Sequence, residues 1–174
     1  MLIVVFAIIV FAVGADQLTK YLIFGHDMPF IRGFIRFESV ENRGMVWGMM
    51  NGVNGFMIVI SIVTAVVIAA LIFLLVKYSR RMSPIIAIAF AAVTGGAIGN
   101  LIDRVFLGFV RDFICTEFIS FPVFNVADCF VTCGAILLAV MLLFTKQGRD
   151  FFAELFPEEK KKSPVNEEKP EAEA

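Results

Sequence analysis

Long uncharged apolar runs alternate with shorter polar links along this chain, and the alternation predicts an architecture before any single residue is weighed. Met1–Ala15, Gly55–Val76, Met82–Ile102 and Cys129–Thr145 carry no charge. Crossing the hydrocarbon of a bilayer takes about 20 helical residues, with about 17 as a lower bound. Three of these runs reach that length as they stand. The first reaches it by continuing through Gln17–Thr19 to Phe24, with Asp16 and Lys20 near one end. Four transmembrane helices are therefore expected. Between the first two runs, residues 25–54 include Phe34-Ile-Arg-Phe-Glu-Ser-Val40, a strand-like mixture of aromatic, β-branched and polar residues. Val110–Phe124 also reads as extended, ending at Pro122.

Composition sharpens this picture. Of 174 residues, 59% are apolar and 18% charged, with a net charge of −1 and 20 phenylalanines. This is not the balance of a soluble domain, and no basic stripe points to a nucleic-acid partner. The phenylalanines suit outer segments resting at the bilayer interface. A cleaved secretory signal is the rival reading of the N-terminus, because Val13-Gly14-Ala15 looks like a cleavage site. No Lys or Arg precedes the apolar run, however, and apolar residues resume at Tyr21–Phe24, so a retained helix is expected.

Basic residues set the expected orientation. Lys77, Arg80 and Arg81 lie between the second and third runs, and Lys146, Arg149, Lys160–Lys162 and Lys169 follow the fourth. These nine face six on the other side (Lys20, Arg32, Arg36, Arg43, Arg104 and Arg111). By the positive-inside tendency both termini are cytoplasmic. From about Gly148 the chain is rich in Glu, Lys and Pro, so residues 148–174 read as a disordered cytoplasmic tail after a membrane domain of residues 1–147.

The polar residues within or beside apolar runs carry the chemistry. An ionisable group at membrane depth is a functional-site hypothesis by default. Asp16 and Lys20 are spaced i, i+4 in the favourable order for a helix ion pair, which structural anchoring alone would explain. Gly95 and Gly99 form a G-x-x-x-G that lets another helix approach closely. Asn100 and Arg104 share a face one turn apart, with Asp103 adjacent; they either satisfy one another or line a polar cavity. Asn125 followed by Asp128 resembles an N-terminal cap. Asp112 lies only a short loop away from it. Two carboxylates converging on one site cannot both ionise freely, which is the condition an acid–base pair needs to activate water.

Other hydrolytic chemistries lack their parts. His26 is the only histidine, so H-E-x-x-H is impossible and no G-x-S-x-G is present. Cys115, Cys129 and Cys133 show no C-x-x-C spacing and read as buried small hydrophobes, so no metal or cofactor is expected. A small transporter would also hide Asp, Asn and Arg in a bundle, but no internal repeat is seen. A membrane scaffold would explain the glycines and the Asp16–Lys20 pair, but not two acids beside one outer loop.

Five motifs, in order and between the expected spans, carry a resemblance. Asp16-Gln-Leu-Thr-Lys20, Asn42-Arg-Gly44, Gly99-Asn100-x-x-Asp103-Arg104, Val110-Arg-Asp112-Phe113 and Phe124-Asn-Val-Ala-Asp128 resemble the lipoprotein signal peptidases (signal peptidase II, prolipoprotein signal peptidase) over about residues 10–145. The resemblance implies a bacterial inner-membrane aspartyl endopeptidase, a four-transmembrane-helix bundle with a small extracytoplasmic β-rich cradle. Its substrate would be a diacylglyceryl-modified prolipoprotein, cut before the lipidated lipobox cysteine at the outer membrane face, and the enzyme is expected to act as a monomer among membrane lipid. By motif, Asp112 and Asp128 would be catalytic. Asn42, Gly44, Asn100, Arg104, Asn125 and Ala127 would line the substrate groove, supported by Asp16, Lys20 and Asp103. Two departures stand out. Arg111 precedes Asp112 where an apolar residue is usual, and is expected to bias which carboxylate holds the proton. Met45-Val46 replaces smaller residues after Gly44.

Overall fold

The computed structural model describes residues 1–44 and 55–156. Two sequence expectations, the Met45-Val46 departure and the tail beyond Phe156, lie outside the described residues. Four helices are long and apolar enough to cross a membrane: α1 (Leu2–Ile23), α2 (Phe56–Lys77), α3 (Pro84–Leu107) and α4 (Val126–Phe144). Helix α3 is the hub, packing against α1, α2 and α4. Its glycines make this possible. A Cβ on Gly95 would lie 2.6 Å from Ala12 Cβ, and one on Gly99 would lie 2.5 Å from Asp16 Oδ2, both on α1. On the other side, a Cβ on Gly96 would lie 2.4 Å from the Ala127 carbonyl oxygen of α4. The G-x-x-x-G spacing therefore serves the α1–α3 contact, where backbones close up because nothing projects between them.

A three-stranded antiparallel sheet in the order β1 (Met28–Ile31), β2 (Ile35–Asn42), β3 (Val110–Thr116) sits at the end of the bundle where α1 and α3 finish and α4 begins. Pairing of Val40 with Asp112 and of Asn42 with Val110 fixes the register of β3 against β2. The extended reading of Val110–Phe124 holds only to Thr116. The chain then loops back so that Phe124 exchanges backbone hydrogen bonds with Ile114 at 2.8 and 3.1 Å. That return places Asn125, the first residue of the α4 cap, beside β3.

The opposite end is apolar. Val5, Leu75, Met82, Ile86, Phe90, Met141 and Phe151 form its buried cluster. Phe151 belongs to a fifth helix, α5 (Lys146–Leu155), which corrects the expectation of disorder from Gly148. Thr145 caps this helix by accepting from the Gly148 N–H at 3.0 Å. The Phe151 ring then meets Tyr78 and Phe90 edge-on. An Arg81–Glu154 ion pair ties α5 to the link between α2 and α3. One buried aromatic and a cap outweigh a composition that, averaged over the tail, looks unfoldable.

Candidate active site

Local signals deliver each polar group to the sheet end of the bundle. Asn125 and Asp128 form a reciprocal capping box at the start of α4: the Asp128 N–H donates to Asn125 Oδ1 at 3.0 Å, and the Asn125 N–H donates to Asp128 Oδ2 at 3.1 Å. The cap expected from the sequence is present, and it leaves Asp128 Oδ1 free to accept from Asn100 Nδ2 at 2.8 Å. Asp112 arrives on β3 rather than on the third span itself. It is almost fully buried and accepts from Asn42 Nδ2 at 2.9 Å and Asn125 Nδ2 at 2.6 Å.

Two asparagines join the acids. Asn125 Nδ2 also donates to Asn100 Oδ1 at 3.0 Å, so the two amides connect the carboxyl of Asp112 to that of Asp128. Burial pushes Asp112 up to about 7, even though the amides of Asn42 and Asn125 pull the other way; the nearby Asp128 adds to the rise.

Behind this pair lies a buried charge cluster. Lys20 Nζ donates to Asn100 Oδ1 at 3.0 Å and pairs with Asp16 at 2.9 Å and Asp103 at 3.3 Å, all three charged side chains being shut off from solvent. Asp16 does more than anchor a helix end, since its Oδ1 accepts the Ala127 N–H at the start of α4 at 2.9 Å. That interaction places a carboxylate at the positive end of a helix dipole. Gln17, to which sequence reasoning gave no role, donates to Asp16, the Gly99 carbonyl and Asp103 at 3.1 to 3.2 Å. Its spacing one residue after Asp16, on the face turned toward α3, was the available signal.

A cavity of about 490 Å³ opens in front of the two acids. Asn42, Gly44, Asn100, Arg104, Asp112 and Asp128 all face it. Phe121–Phe124 form its lip. Among the described residues, Arg104 Nε is buried with no hydrogen-bond partner, so the guanidinium is directed at the cavity rather than spent on a neighbour. The expectations for Ala127, Asn125 and the cysteines need correction. Ala127 is fully buried against Gly96 and Gly99 and does not line the cavity, because α3 and α4 are in backbone contact there. Asn125 is fully buried as well and does not line the cavity, because its amide is spent on Asn100 and Asp112 behind the wall. Cys129 and Cys133 are exposed residues of the cavity wall, and Cys115 is half-buried, so none is a core hydrophobe. Arg111 turns away from the acids toward Asp103 and Gln17. Among the described residues no cluster of His, Cys, Asp and Glu has the arrangement of a metal site.

Comparison with known proteins agrees with this geometry. Residues 8–144 match the family described as signal peptidase (SPase) II. The lipoprotein signal peptidase of Caldanaerobacter subterraneus is 43% identical over 143 residues, covering 79% of this chain and 94% of that protein. That of Enterococcus faecalis is 38% identical over 154 residues, covering 85% and 92%. Among solved structures, a bacterial membrane enzyme determined by the in meso method superposes with a TM-score of 0.70 at 30% identity, covering 92% of this chain and 94% of that one. With four apolar spans, a small sheet at one end and this match over most of its length, the chain belongs to the signal peptidase II family.

Proposed function

We propose that Asp112 and Asp128 are the acid–base pair with which this multi-pass bacterial membrane peptidase cleaves prolipoprotein signal peptides. The observation that carries the reading is the amide bridge: Asn100 and Asn125 hold two carboxyls against one cavity, one of them buried deeply enough to keep a proton near neutrality. Asp128, accepting two N–H donors at the start of α4, takes a proton from a water in the cavity. Protonated Asp112 donates to the scissile carbonyl oxygen and stabilises the developing negative charge. The resulting hydroxide bonds to the carbonyl carbon. The tetrahedral intermediate collapses as its C–N bond breaks and Asp128 passes the water's proton to the leaving amine, while Asp112 recovers a proton from the intermediate's hydroxyl, with no covalent acyl-enzyme.

The surrounding groups fit a substrate that arrives along the membrane. Asn42, Gly44, Asn100 and Arg104 offer polar contacts to an extended peptide, and Arg104 has no competing partner among the described residues. The diacylglyceryl group on the lipobox cysteine stays among lipid tails and sets the depth of the scissile bond against the acids. Lys77, Arg80, Arg81, Lys146 and Arg149 gather at the end opposite the cavity, which supports cytoplasmic termini and an active site on the outer face.

A gel-shift cleavage assay on a diacylated prolipoprotein tests the assignment. Asp112→Asn and Asp128→Asn should each insert and fold yet lose at least about 10²- to 10⁴-fold in turnover, and the losses should not add in the double variant. Substantial turnover by either single variant sinks the assignment.

A further inference from the structure

Arg111 is bound twice into the buried cluster. Its backbone N–H donates to Asp103 Oδ2 at 3.0 Å, and its guanidinium forks onto the same carboxylate, from Nε at 3.2 Å and from Nη2 at 2.8 Å. Nη2 also donates to Gln17 Oε1 at 2.9 Å. One side chain thereby clamps β3 to α1 and α3, immediately before Asp112 in the chain. Its carbonyl oxygen accepts from Asn125 Nδ2 at 3.4 Å, the same amide that contacts Asp112. A second route runs from Asp103 through Lys20 to Asn100, and from Asn100 to Asp128. Arg111 does not itself reach the cavity wall.

We propose that Arg111 is a positioning residue for the cleavage reaction: its fork onto Asp103 fixes the depth of Asp112 and balances the charge of the cluster behind both acids. The inference rests on the catalytic reading of Asp112 and Asp128 given above. Asp16 and Asp103 contribute two negative charges, and Lys20 and Arg111 two positive ones, all within one hydrogen-bonded group. Without Arg111 the cluster keeps one uncompensated negative charge next to the pair. That charge favours protonation of the coupled pair, so the apparent midpoints of its activity profile move to higher pH. The other charged or titratable groups on the cavity wall around the pair are Arg104 from α3 and Cys129 and Cys133 from α4; Glu41 and Arg43, which flank Asn42, are exposed and pair with each other at 2.7 Å.

The test uses the full-length enzyme in lipid, with kcat, KM and the pH midpoints measured on a diacylated prolipoprotein. Arg111→Met should lower kcat by roughly 10- to 100-fold, as a misplaced reacting group does, with KM little changed. Its midpoints should rise by roughly 0.5 to 1 pH unit, less than the 1–3 units of a directly adjacent charge. Arg111→Lys keeps the charge and loses the fork, so kcat should fall while the midpoints stay at those of the parent enzyme. Asp103→Asn added to Arg111→Met restores neutrality, and the midpoints should return. A lower Tm with unchanged midpoints and kcat per folded molecule overturns the proposal, as does a double variant that stays shifted. If Arg111→Met does not fold, Arg111→Lys decides: parent-like midpoints with reduced kcat support the proposal, and parent-like kcat overturns it. Asp112→Asn and Asp128→Asn run alongside, since turnover by either removes the catalytic reading itself, whereas two dead variants beside an unaffected Arg111→Met remove only this inference.

Discussion

The two ends of the bundle are built on different physics. At the α5 end, Val5, Leu75, Met82, Ile86, Phe90, Met141 and Phe151 meet as an apolar cluster in which any well-shaped hydrocarbon side chain could serve. At the sheet end, Asp16, Lys20, Asn100, Asp103, Asp112 and Asn125 are buried side by side, each with a named partner. Inside a membrane the apolar end gains little from leaving lipid, so its stability comes from close packing. The polar end is held by hydrogen bonds and ion pairs that are strong only while complete, because an unpaired polar group there is costly. The first end tolerates variation in residue type; the second specifies atoms.

The largest difference between the ends should follow from removing Lys20. Its ammonium serves Asp16, Asp103 and Asn100 at once. Lys20→Met strips both acids of a buried partner, a change that typically costs about 3–5 kcal/mol. Thermal unfolding in detergent should show it, together with lost cleavage. A Lys20→Met enzyme with parent-like Tm would mean that the cluster contributes no net stability.

Phe151→Ala is the matching cut at the apolar end. Emptying a buried aromatic site costs about 3–5 kcal/mol in a closed core, and somewhat less is expected here because α5 can detach as a unit. The distinguishing result is functional: kcat per folded molecule should be unchanged, because Phe151 lies with Tyr78 and Phe90, away from the cavity. A fall in kcat at constant folded fraction would mean the two ends are coupled.

How much of this was legible in the sequence divides along the same line. The four spans were readable because uncharged length is a property of one segment at a time. The capping box at Asn125 and Asp128 was readable for the same reason. Helix α5 was missed because its determinant, Phe151 in a distant apolar cluster, is a tertiary contact hidden inside a charged run. Ala127 was misplaced because its motif position says nothing about which way the helix face turns, and Gly96 decides that. The contacts of Arg111 were not legible because its neighbour in sequence, Asp112, is not the acid its side chain meets. What lies between segments needs the fold.

A pH titration of stability probes the polar end alone. Burial raises Asp112 from 3.8 to about 7, so the folded state holds a proton that the unfolded chain releases. Stability from this group is complete below pH 3.8, falls as pH rises through the interval, and is gone above about 7. Asp112→Asn cannot lose that proton. Its Tm relative to the parent should therefore rise between about pH 4 and 7, and a pH-independent difference would remove the burial argument. Phe151→Ala should show no such trend.

The smallest effect should come from a size-conserving exchange at the apolar end, and it is the sharpest form of the comparison. Met141 is buried in the cluster with Leu75, Ile86 and Phe90. Met141→Leu keeps the volume and the chemistry, and such swaps usually cost less than about 1.5 kcal/mol. In a membrane the cost should sit at the lower end, because the side chain loses only packing contacts and gains no water on unfolding into lipid. Asn125→Leu is of similar size but at the other end. It removes the acceptor for the Asp128 N–H and the donor to Asp112 and Asn100, leaving two carboxyls without their bridge. Measured side by side in the same detergent, the first should leave Tm within a few degrees and cleavage intact, and the second should abolish cleavage. Comparable losses from both would show that the polar end is as interchangeable as the apolar one, and the division drawn between them would fall.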